Sequence, residues 1–271
     1  MGKRSIIWFR RDLRVSDHPA LLSAIAESDE IVPVFILDPK LIKSSGSKRL
    51  AYLAQSLKSL DDSLNNCLQI IAGDQLKVLR DLQKKYDAEA VHISAEYEPY
   101  GSKRDKNLEA GGIKLIRTGS PYAVAPGRVL KPSDNTPYRV YTPFYRAWCL
   151  HGWREPAGKP KEIPTVKANS DSREFPDWKL PEGVKISNAG EQAAIERFKY
   201  FQKNGLDNYD EARNLAGIDG TSKMSAHLKW GEIHPRTLLA PLGKSKAHEV
   251  FRKEIAWREF YADVLFNNDE I

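Results

Sequence analysis

Near its C-terminus the chain reads EIAWREFY, Glu254 to Tyr261. On a helix, Glu254, Trp257, Arg258 and Tyr261 fall at i, i+3, i+4 and i+7, so carboxylate, indole, guanidinium and phenol share one stripe. Such a face suits a hydrogen-bonding wall with a stacking platform for a flat heterocycle. It is also readable as a Glu254–Arg258 ion pair with aromatic core neighbours, although a desolvated pair adds little stability. A second stretch, GTSKMS, sets Thr221, Ser222, Lys223, Met224 and Ser225 ahead of a helix. Its hydroxyls and free N–H groups suit a pyrophosphate, or serve as a plain N-cap. A third, WFRRDLR, places Arg10, Arg11, Asp12 and Arg14 just past an apolar run. It is a ligand-side cluster or a surface loop with local ion pairs.

The elements that must hold these residues are legible from periodicity. Apolar runs at 5–9, 30–37, 68–74, 90–94 and 113–119 alternate with helical patterns. Those patterns cover 20–26, 47–64, 75–86 and 103–110. The alternation predicts a parallel sheet with helices on both faces, with ligand loops after the strand C-termini. No GxGxxG and no P-loop occurs. Beyond 119 the rhythm gives way to a Pro-, Gly- and Lys-rich stretch, and from 190 the pattern is helical. Three regions follow: an α/β domain over 1–130, a connector over 131–190 and a helical region over 191–271. The last helix is apolar nearly all round, so it belongs inside something larger. The expectation is a chain cut off within its helical domain.

Composition is that of a globular protein, with 41% apolar and 29% charged residues. Lys plus Arg number 42 against 36 Asp plus Glu, a net +6 that permits a polyanionic partner. Two cysteines form no CxxC pair, which suits a reducing, cytoplasmic setting, and six scattered histidines give no metal-ligand spacing. No apolar run approaches a membrane span.

Taken in order, WFRRDLRVSDHPALLSA, VPVFILDP, EPYG at 98–101, NYDEARNLAGIDGTSKMSAHLKWGEIHPRTL and EIAWREFYADVLF resemble the photolyase/cryptochrome family, and within it the class I cyclobutane pyrimidine dimer photolyases. The resemblance runs from Ser5 to Phe266. It implies an antenna domain, a linker and a helical domain that binds FAD, with light-driven electron transfer from reduced flavin to a pyrimidine dimer in DNA. By position, Tyr209, Thr221, Ser222, Lys223, Met224, Ser225, Phe251 and Arg258 correspond to flavin contacts. Arg213, Glu254, Trp257 and Tyr261 correspond to contacts with damaged DNA, and Glu254 and Trp257 to the repair wall. Glu96 and Lys229 correspond to the antenna site. Tyr100-Gly101 replaces the Asn-Glu pair of folate-binding relatives, which implies a deazaflavin or second flavin there. The resemblance further implies a monomer, with weak or no activity if the helical domain is incomplete. A cryptochrome-like light receptor and a non-enzymatic antenna fragment are the alternatives.

Overall fold

The computed structural model describes residues 2–168 and 175–268. Residues 169–174, inside the stretch expected to be connector, lie outside the described residues.

Five strands, β1 (Arg4–Phe9), β2 (Glu30–Leu37), β3 (Gln69–Ala72), β4 (Ala88–Ile93) and β5 (Leu115–Arg117), form one sheet in the order β3-β2-β1-β4-β5. Every pairing is parallel. Side chains alternate across it. Ile7, Phe9, Ile31 and Phe35 enter one apolar cluster, and Ile6, Trp8, Val32 and Val34 enter the other. Helices α1 (Pro19–Glu27) and α3 (Ser47–Ser63) cover the first face. Helices α4 (Gln75–Tyr86) and α5 (Pro99–Ala110) cover the second. The chain reverses its direction of travel across the sheet between β1 and β4, where a crevice opens at the strand C-termini.

His18 caps α1, its Nδ1 accepting the Leu21 N–H at 3.1 Å. Asp17 is left-handed, φ 47°, and its carboxylate accepts from Arg236 at 2.6 Å. Two elements fall where a loop or connector is expected. Helix α2 (Pro39–Lys43) follows β2, and α6 (Tyr141–His151) buries Phe144 and Trp148 one turn apart. Further on, Pro164 accepts the Ile31 N–H at 2.7 Å and Val166 donates to the Ile31 carbonyl at 2.9 Å. The connector thus runs alongside the start of β2.

The remaining helices are α7 (Glu191–Asn204), α8 (Tyr209–Ala212), α9 (Ser225–Trp230), α10 (Pro235–Leu239) and α11 (Lys246–Phe266). Together with α6 they close a cluster containing Trp148, Phe198, Phe201, Tyr209, Phe251, Ile255 and Phe260. This half is bolted to the sheet half by buried polar groups. Glu232 accepts from Tyr52 (2.8 Å), Ser56 (2.5 Å), His227 (2.5 Å) and the Gly190 N–H (2.7 Å). Gly231 is left-handed, φ 66°, and a Cβ there would overlap the Arg11 backbone, so only glycine permits this approach.

Candidate functional site

The WFRRDLR loop is no surface loop. Arg10, Asp12 and Arg14 are buried, and each has a partner distant in sequence. Arg10 grips Asp105 at 2.8 Å, and Arg14 donates to the Gly231 carbonyl at 2.8 Å. Burial pushes the Asp12 carboxyl up, but His18, the Arg10 N–H and the Ser94 hydroxyl outweigh it and hold the group well below the usual carboxylate range.

This rigid loop forms one side of a cavity of about 300 Å³ at the sheet crevice. Glu96 and Lys229, which come from opposite halves of the chain, both line it. Arg10 at 3.5 Å and Arg104 at 3.1 Å pin the Glu96 carboxylate. Gly101 lies directly beneath, where a Cβ would collide with that carboxylate. Tyr100 reaches across to donate to Asp38, and burial together with this bond pushes its phenol up to about 12. Burial and the neighbouring Arg11 push the Lys229 ammonium down. The buried Arg10 Nε faces the Glu96 carboxylate at 3.5 Å, an ion pair too long to be a full hydrogen bond. A planar, polar-edged heterocycle suits this donor and acceptor set.

The second set lies on α11. Glu254 pairs with Arg213 at 2.5 Å, not with Arg258 four residues on. Trp257 stacks flat on Tyr141, with centroids 3.5 Å apart and planes at 8°. Tyr261, 64% exposed, stacks against the indole at 5.5 Å. Arg258 turns away from that face. It donates to the Pro121 carbonyl at 3.0 Å and lies 4.8 Å over the Tyr122 ring, and burial lowers its pKa. There it braces the seam between the halves.

The expected flavin residues separate into two groups. Phe251 is 2% exposed and closed in by Phe198, Phe201 and Tyr209. Met224 is likewise core, and burial among these rings is where an apolar side chain gains most. Tyr209 is buried, with the Arg213 guanidinium 5.4 Å above its ring. Thr221, Lys223 and Ser225 are exposed and Ser222 partly so. Arg197 holds this segment by donating to the Thr221 (2.7 Å) and Ser222 (3.0 Å) carbonyls, and Asp219 pairs with Lys223 at 2.8 Å. Helix α9 begins without a side-chain cap, so its first N–H groups stay open beside three hydroxyls. That donor set fits a phosphate.

Sequence reasoning missed Tyr141 and Glu259. Tyr141 stood in plain view as one of two tyrosines at i, i+4 in YTPFYRAW. Glu259 is a buried carboxylate that accepts the Ala123 N–H (2.5 Å), the Val124 N–H (3.0 Å) and the Trp148 indole N–H (2.7 Å). Only its place among aromatics on α11 hinted at a structural task.

The family model for DNA photolyase matches residues 5–165. The deoxyribodipyrimidine photo-lyase of Agrobacterium fabrum is 34% identical, over 98% of this chain and 60% of its own length. The crystal structure of a bacterial class III photolyase from Agrobacterium tumefaciens superposes with a TM-score of 0.89 at 32% identity, covering 100% of this chain and 60% of that one. An uncharacterized 31.6 kDa protein from Synechococcus sp. (strain PCC 6716) is 31% identical over 94% of this chain and 98% of its own length. The sheet and the helical half superpose on those of a photolyase, and the chain belongs to the DNA photolyase family. It spans about 60% of the length of the photolyases it matches.

Proposed function

We propose that this chain carries the antenna pocket and one wall of the substrate cavity of a photolyase that repairs cyclobutane pyrimidine dimers in DNA. The observation that supports this reading is the cluster of Arg213, Glu254, Trp257 and Tyr261 on one face, assembled from α11 and the end of α8. Bound reduced FAD would supply the electron for ring opening on light absorption. The residues of the chain do the rest. Arg213 binds a DNA phosphate, which competes with Glu254 for the guanidinium. Glu254, freed, accepts a hydrogen bond from a base-edge N–H. Trp257, fixed by Tyr141, offers an apolar edge against which an extruded dimer packs. The Thr221–Ser225 segment would hold the flavin phosphates. With Phe251 and Met224 in the core, the remaining flavin contacts are few and polar, so FAD binding and activity by this chain alone are weak. The crevice cavity would hold a second, light-harvesting chromophore of the deazaflavin or flavin type, with Glu96 and Lys229 at its polar edge.

The test is light-dependent loss of dimers from an irradiated oligonucleotide in the presence of FAD. Wild type should show slow repair that Glu254→Ala abolishes. Repair unaffected by Glu254→Ala would refute the assignment of this face. A light receptor would bind FAD without touching dimers.

A further inference from the structure

Helix α6 has two faces. Tyr141, Tyr145 and Trp148 lie on one, toward Trp257 and the core. Pro143, Arg146, Ala147 and Leu150 line the other, where they face the loop Arg128–Pro132 across a groove of about 500 Å³. Leu150 is 89% exposed, the most exposed large apolar side chain among the described residues, and Val140 is 62% exposed. The groove is preformed. Lys131 donates to the Thr136 carbonyl at 2.9 Å, Leu130 bridges Pro137, and the Gly127 N–H is anchored on Asp263 at 2.7 Å. Val129 is buried beneath it.

Charge is one-sided here. Arg128 and Arg146 line the groove, and no carboxylate is among its lining residues. Asp134, in the adjoining turn, accepts from the Thr136 hydroxyl at 2.7 Å. Among the described residues Arg128, Arg139 and Arg146 have no ion-pair partner. Unpaired cations flanking exposed aliphatic side chains are the complement of an acidic amphipathic segment: apolar anchors fill the groove and carboxylates meet the rim. A nucleic acid strand fits less well. It needs flat aromatic platforms, whereas this wall is Leu130, Pro132, Pro143 and Leu150, and the Tyr138 ring is packed edge-on to Phe144. The face also points away from the Glu254–Trp257 stripe, so a duplex seated there would not lie along it.

We propose that the α6 groove is a docking site for an acidic, amphipathic peptide segment of a partner protein. The test uses a displayed library of random 16-residue peptides panned on the intact chain, with Arg146→Glu/Leu150→Ser as the counter-target. Both substituted side chains are exposed, so the variant should melt with wild type, and circular dichroism checks this. The expected result is enrichment of sequences with Leu, Ile or Phe flanked by Asp or Glu. Their synthetic versions should bind wild type at least tenfold more tightly than the variant. They should lose binding when the acids are replaced by Lys. No enrichment, enrichment without acidic bias, or equal binding to the variant would overturn the proposal. So would a wild-type dimer that Leu150→Ser dissociates, or a dT20 oligonucleotide whose binding the variant alone loses.

Discussion

Glu259 offers the sharpest test of how α11 is held. Its carboxylate accepts from two backbone N–H groups of the 121–127 loop and from the indole of fully buried Trp148. Glu259→Ala leaves two buried donors and one partly buried donor without this acceptor. Each such donor costs about 1–3 kcal/mol, offset by the desolvation cost of the carboxylate, which burial has already pushed toward the protonated form. A net loss of ~3–6 kcal/mol follows, a large part of the ~5–15 kcal/mol that a whole domain commands. Glu259→Gln keeps one acceptor oxygen and turns an amide N–H toward a donor, so it should cost about half as much. Trp148→Phe removes a donor beforehand, and Glu259→Ala in that background should cost ~1–2 kcal/mol less than alone. Urea unfolding followed by circular dichroism measures all four, with m held constant as the check that the denatured state is unchanged. A loss under about 1 kcal/mol for Glu259→Ala, or full additivity with Trp148→Phe, would show that the loop and indole are held by something else.

Other expectations follow from the same geometry. Gly101→Ala should expel the Glu96 carboxylate into the crevice and weaken binding of riboflavin there at least tenfold, read by quenching of its fluorescence, while the melting temperature hardly moves. Gly231→Ala should lower stability by ~2–4 kcal/mol, because it combines a left-handed backbone with a collision against Arg11; denaturant titration decides. Burial holds His234 well below its ordinary value and lowers His92 as well. The unfolded chain then binds more protons than the folded one below about pH 6.5. Stability should therefore fall as pH drops through that window, by up to ~1.4 kcal/mol per pH unit for each group. His92→Leu should flatten the slope in denaturation curves at pH 7.5, 6.5 and 5.5. Glu259 and Asp263, raised by burial, act in the opposite sense near the carboxylate range. Arg213→Ala should weaken binding to damaged and undamaged DNA alike, with a shallower salt dependence in filter binding; loss confined to damaged DNA would contradict a phosphate contact.

The parallel sheet and its covering helices were legible because burial on one or two faces writes a period into the sequence, as in Ile6 to Phe9 and along α3 and α4. Helix α6 was hidden by Pro143 and by the prolines around it, although Phe144 and Trp148 sit at helical spacing. Site contacts were less legible because they are long-range. Asp17 and Arg236 are 219 residues apart, and Glu254 finds Arg213 at 41 rather than Arg258 at four. Local spacing puts residues on one stripe, but tertiary packing decides which neighbour each one meets. Arg258 shows this, drawn off its stripe by a carbonyl in the 121–127 loop.

The Glu232 junction also fixes an order of events during synthesis. Its hydroxyl donor Tyr52 precedes it by 180 residues, which at ~5–20 residues per second is a wait of roughly 9–36 s. Until Glu232 is made, the Tyr52 and Ser56 hydroxyls lack the carboxylate that receives them, so the polar seam between the halves can close only late in synthesis.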